Sequence, residues 1–107
     1  MKRCVVGIRR SDVPKPAATG SDVPTVWFPS MPTLAAVLSE DNRALLRLIH
    51  DQRPPSLTAL AELTGRQVPN LSRTLRMMER YGLVTLKKSA REIAPVAIAT
   101  SFKILID

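Results

Sequence analysis

Arg73, Arg76 and Arg80 are spaced three and four residues apart, and Leu71, Leu75 and Met78 are interleaved with them. Wound as an α-helix at about 100° per residue with Leu71 at zero, Leu75 falls at about 40° and Met78 at about −20°. On the same wheel Arg73, Arg76 and Arg80 fall at about 200°, 140° and 180°. The spacing predicts one apolar stripe and, opposite it, a face of guanidinium groups. Guanidinium is a planar, permanently charged fork whose donors match phosphate oxygens and the O6 and N7 acceptors of guanine. Asn70 and Ser72 flank the face with small polar groups of the kind that pair with adenine or hold phosphates. A helix of this kind can dock in the major groove of duplex DNA; the bland alternative is an arginine face that is only solvated.

The distribution of charge bears on that choice. The chain has 107 residues, with 16 Lys and Arg against 9 Asp and Glu, a formal charge of +7. Within residues 66–91 there are seven basic residues, Arg66, Arg73, Arg76, Arg80, Lys87, Lys88 and Arg91, against Glu79 alone. Nearly all of the excess sits in one quarter of the sequence. A basic block of that density is the electrostatic footprint of a polyanion binder, because each neutralised phosphate releases condensed counterions.

Several elements must hold these residues in place. Pro69 favours a helix start, so a helix is expected from Pro69 to Tyr81 with Gly82 just past its end. Before it, Ser56 or Thr58 caps a short helix through Leu60, Ala61 and Leu63 that closes at Gly65, leaving a turn of about four residues, the spacing of a helix-turn-helix. Upstream, Ser39 caps a helix carrying Leu45, Leu46, Leu48 and Ile49, with Glu40 and Asp41 at its positive end, and Pro54-Pro55 stops it. A shorter helix is expected over Pro32–Leu38. Downstream, Leu83–Leu86 reads as a strand, Lys87 to Arg91 as a polar turn, and Val96–Ile106 as a strand whose even positions are mostly large and apolar. Cys4–Ile8 favours a strand, and the Pro-rich residues 11–25 a flexible linker in which Ser-Asp-Val-Pro occurs twice by coincidence. The expected class is mainly α with a small β-hairpin, an α+β fold of winged helix-turn-helix form with an added N-terminal strand. Its divisions are 1–25, strand and linker, and 26–107, the DNA-binding domain with its C-terminal strand extension. Because Val96–Ile106 outruns its hairpin partner, its surplus end is expected to pair with strand 4–8 or with a second subunit.

Other classes of function find little support. One Cys and one His do not make an all-His/Cys zinc site within one chain, and there is no paired nucleophile and base and no Gly-rich phosphate loop, so neither an enzyme nor a cofactor is expected. No apolar run approaches the roughly 18 residues of a membrane span, and the apolar stretch in MKRCVVGIRR is too short for a signal peptide, so a cytoplasmic location is expected. His50 suits the negative end of its helix, Trp27 and Phe28 should pack the N-terminal segment on the core, and Tyr81 should be structural.

The stretch from Val26-Trp27-Phe28 to Val84, above all Leu63-Thr64-Gly65-Arg66, Asn70-Leu71-Ser72-Arg73-Thr74-Leu75 and Glu79-Arg80-Tyr81-Gly82-Leu83-Val84, resembles winged helix-turn-helix regulators of the MarR type. It looks closest to a group of small prokaryotic DNA-binding proteins, some of them antitoxins. The resemblance covers roughly residues 26–98 and implies a homodimeric repressor bound to double-stranded DNA. It departs from the pattern at Pro69, where such proteins more often have Ser. On the residues themselves, Arg73 and Arg76 are the expected base readers, with Asn70 and Ser72 next, while Arg66 and Arg80 reach phosphates and Gln67 suits either. Lys87, Lys88 and Arg91 are expected along the phosphate backbone. The second function kept open is a protein-interaction module that binds a cognate toxin or another protein.

Overall fold

A computed structural model describes residues 4–8, 25–89 and 91–105; the linker assigned to residues 11–25 lies, except for Thr25, outside them. The order of elements is β1 (Cys4–Ile8), β2 (Val26–Phe28), α1 (Met31–Val37), α2 (Glu40–Gln52), α3 (Leu57–Thr64), α4 (Val68–Arg80), β3 (Val84–Ser89), β4 (Glu92–Ala97) and β5 (Phe102–Leu105). The fold is α+β, with more sheet than a hairpin alone.

The helices start where their caps dictate. Ser30, Ser39 and Ser56 each accept a hydrogen bond from the backbone N–H three residues on, satisfying an amide that the first turn leaves free. Gly65 ends α3 in the left-handed region at φ 73°, where a side chain is disfavoured. The fourth helix begins at Val68, one residue ahead of the expected start, with Pro69 inside its first turn. Leu45, Leu46 and Ile49 of α2, Leu60 of α3, and Leu71, Leu75 and Met78 of α4 turn inward to one core.

Strands β3 and β4 form an antiparallel hairpin in continuous register from Val84 opposite Ala97 to Ser89 opposite Glu92. Lys87 and Lys88 are therefore paired strand residues, and only positions 90 and 91 lie between paired ones, so the polar turn expected over 87–91 is shorter than the sequence suggested. Ile98 N–H donates to Leu83 C=O, which fixes the phase of the ladder so that Pro95 turns its missing N–H away from β3. That side of β4 carries no further strand among the described residues, the edge position that proline requires.

The single strand expected over 96–106 is two strands in two sheets. After Ala97 the chain leaves the hairpin, and β5 pairs in parallel with β1, which pairs in parallel with β2 on its other side. Cys4 N–H donates to Ser101 C=O and Thr25 N–H to Val5 C=O at the margins of this sheet. Of the two partners expected for the surplus end, strand 4–8 is the one it meets. Along 96–99 the small residues are the ones that turn inward: Ala97 and Ala99 are buried, while Val96 and Ile98 are 40% and 49% exposed. Ala97 stands opposite Val84, and Val84 and Leu83 fill the interior at that point, so the small residue is the one that fits inward. Val6, Val26 and Phe28 belong to the same core as the helices, so β1 and β2 are part of the domain. Phe28 stacks on Tyr81 with ring centroids 4.6 Å apart, which joins the parallel sheet to the end of α4.

Candidate nucleic-acid interface

The fourth helix is held on one side and bare on the other. Leu71, Leu75 and Met78 are each 0% exposed, whereas Asn70, Arg73, Arg76 and Arg80 are exposed. The arginines project from the side opposite the core, as their spacing requires. Among the described residues none of the three pairs with a carboxylate, Glu79 on the same helix included. Arg76 Nε donates to Ser72 Oγ at 3.4 Å, one turn back, so the guanidinium lies along the helix toward its N-terminus. Ser72 is half-buried and serves that contact.

The turn ahead of the helix is fixed by its own chemistry. Thr64 Oγ1 donates to Leu60 C=O at 3.0 Å and accepts from Arg66 N–H at 3.2 Å, and Gly65 reverses the chain between them. Arg66 is half-buried and Gln67 is exposed. The side chain of Gln67 makes no capping bond, Pro69 has no N–H, and Leu71 N–H is taken by Gln67 C=O. The amides of Val68 and Asn70 are thereby left at the positive end of the helix dipole, which favours an anion there. Arg66, Gln67, Asn70 and Thr74 share a polar groove with Ser39, Asp41 and Asn42 at the start of α2. Asp41 is the one acid on that groove and opposes an anion bound beside it.

The hairpin separates residues that the sequence grouped together. Successive strand residues point to opposite faces, so Lys87 and Lys88 diverge although both are exposed. Lys88 stands opposite Ile93, and Arg91 lies exposed in the turn. Lys87 lines a different groove, with His50 and Arg53 from the end of α2.

Three features were not anticipated. Thr64 is the hydroxyl that shapes the turn, a role its place just before Gly65 would have suggested. Leu63 and Val68, both large and apolar, are 50% and 36% exposed on either side of that turn. Arg53 adopts φ 47°, ψ 58°, a left-handed conformation uncommon outside glycine that no neighbouring residue type signals. Among the described residues no helix is long and apolar enough to cross a membrane, and no group of three His, Cys, Asp or Glu side chains could hold a metal ion.

Residues 37–104, well over half of the chain, match the model of the HVO_A0114 family, a span that runs from the end of α1 into β5. No curated protein and no solved structure matches the chain.

Proposed function

The chain belongs to the HVO_A0114 family, and from the chemistry displayed on α4 we propose that it is a sequence-specific regulator that binds double-stranded DNA as a winged helix-turn-helix. The observation that carries the proposal is the set of three outward guanidinium groups, free of carboxylate partners among the described residues, on a helix whose other side is fully buried. In this scheme α3, the Thr64–Gln67 turn and α4 are the helix-turn-helix, and the β3–β4 hairpin is the wing. The fourth helix enters the major groove, where Arg73 and Arg76 take guanine edges and Asn70 an adenine edge. Ser72 acts through Arg76, whose fork it orients. Arg66, Arg80, Lys88 and Arg91 neutralise phosphates on either side, and Gln67 with the free amides at the helix start holds one more. Binding as a homodimer, the protein reads two half-sites about one helical turn apart and represses by excluding polymerase from the operator.

Val96 and Ile98 favour a protein partner as well, because two neighbouring large apolar side chains stand in solvent outside the hairpin. A second copy is the partner a dimeric repressor needs, and a cognate toxin is the alternative. Sedimentation of the Ile98→Asp variant separates the cases: a drop from dimer to monomer mass assigns the face to a second copy, and an unchanged mass rejects that assignment.

The DNA assignment is tested by selecting bound duplexes from a random pool at fixed salt and then measuring variants on the selected site and on unrelated sequence. Arg73→Ala should weaken the selected site by about 1–3 kcal/mol and relax specificity, while Lys88→Ala should weaken every sequence alike. Equal effects of both changes on all sequences would reject base readout, and recovery of no preferred sequence would reject sequence-specific binding.

A further inference from the structure

Where the end of α2 meets β4, the surface opens into a groove of about 480 Å³, within the usual size of small-molecule sites. Its chemistry differs from that of the α4 face. Pro54, Pro55 and Pro95 supply flat, rigid apolar walls, and His50, Arg53 and Lys87 stand around them. No Asp or Glu is among the residues that line it. Pro54 and Pro95 are buried, so the walls are anchored in the protein, and proline rings have little freedom with which to collapse into the space.

Arg53 adds an independent observation. It occupies the left-handed position that ends α2, its N–H bonded to Ile49 C=O at 3.0 Å, a position that glycine fills at least cost. A non-glycine residue is disfavoured there because its Cβ crowds the carbonyl oxygen that follows, and strain of this kind gathers at functional sites. The strained residue is also one that brings a permanent charge to the groove. Lys87 reaches the same groove because strand alternation turns it away from Lys88.

We propose that this groove is a binding site for a small organic anion with a flat apolar body. The body lies against Pro55, Val96 and the edges of Pro54 and Pro95 that reach the groove, the anionic group takes charge-assisted hydrogen bonds from Arg53 and Lys87, and the His50 ring borders it. The site does not depend on the DNA assignment, since neither Arg53 nor His50 belongs to the α4 face; Val96, which also lines it, is the one residue it shares with the proposed partner face.

Anilinonaphthalene sulfonate, an aromatic anion whose fluorescence rises on binding, is the probe, titrated into the folded chain of 107 residues. The expected result is one site per chain. Arg53→Asn, which keeps a residue tolerant of the left-handed conformation, and Lys87→Gln should each weaken binding about tenfold or more, the usual worth of a hydrogen bond to a charged group. The uncharged parent, phenylnaphthylamine, should bind the wild type at least tenfold more weakly than the sulfonate. Arg73→Ala should keep the wild-type affinity within about twofold, because Arg73 is not among the residues that line the groove and residues sharing no partner behave independently. Unchanged affinity in both groove variants, equal affinity for the uncharged parent, or a loss caused by Arg73→Ala would each overturn the assignment. No nucleic acid enters the measurement, so its failure and failure of the DNA proposal are distinguishable.

Discussion

The salt dependence of DNA binding can be worked out from side-chain placement. In the proposed complex four cations meet the phosphate backbone: Arg80, Lys88 and Arg91, which are exposed, and Arg66, which is half-buried. None of them pairs with a carboxylate among the described residues, so each is available to a phosphate. Neutralising about four phosphates gives a slope of log affinity against log salt of about −3.6 per half-site, and affinity should fall about 150-fold between 50 and 200 mM salt. Lys88→Ala removes one contact, which reduces the slope to about −2.7 and the fall to about 40-fold. Lys87→Gln should leave the slope unchanged, because that side chain faces the groove beside α2. The assay is fluorescence anisotropy of a labelled single half-site duplex at three salt concentrations for the wild type and both variants. A wild-type line with no slope would refute phosphate neutralisation altogether. A slope reduced by Lys87→Gln and untouched by Lys88→Ala would refute the assignment of hairpin faces.

Three further outcomes follow from the packing. Phe28→Ala removes a fully buried ring and its stack on Tyr81, and should cost about 3–5 kcal/mol in urea unfolding; a loss below about 1 kcal/mol would mean that β2 does not anchor the end of α4. Arg53→Gly relieves the left-handed strain and should stabilise the fold by up to about 1 kcal/mol, a rise of roughly 4–8 °C in melting temperature for a chain of this size; an unchanged or lower midpoint would show that the strain is compensated locally. Burial pushes the Cys4 thiol above its ordinary value, partly offset by a hydrogen bond with Thr25. The unfolded chain therefore loses that proton at lower pH than the folded one, so stability is full below the ordinary thiol range and declines as pH rises through it. The decline should be absent from Cys4→Ala, and an identical decline in both proteins would exclude the thiol as its source.

The helical half of the fold was legible because its signals are local. Ser39 and Ser56 cap the helices that follow them, Gly65 takes the left-handed turn, and the leucine spacing of 71 and 75 names the buried side of α4, which fixes the opposite side as well. The C-terminal β region was legible only in part. Alternation along 96–106 gives the period of a strand, but it contains nothing that tells which face is inward. Here cross-strand packing against Val84 turns Ala97 to the core and Val96 to solvent. Nor does alternation mark the passage from one sheet to the other at 98–101, which depends on the distant partner Cys4–Ile8. For the candidate interface, the arginine face followed from angular spacing. The divergence of Lys87 from Lys88 became visible only once both were placed in a strand. The groove beside α2 joins residues more than thirty positions apart and left no local trace.

The arrangement of β1 and β5 also sets an order of events during folding. Cys4 lies opposite Phe102, so this pairing closes a loop spanning nearly the whole described chain, and that closure is entropically the most demanding among the described strand pairings. The helices and the β3–β4 hairpin need only nearby partners and can condense first. The parallel sheet should then act as a clasp, fastened last and released first, and hydrogen exchange at Val5 and Val6 should report an opening less costly than that of α2 or α4.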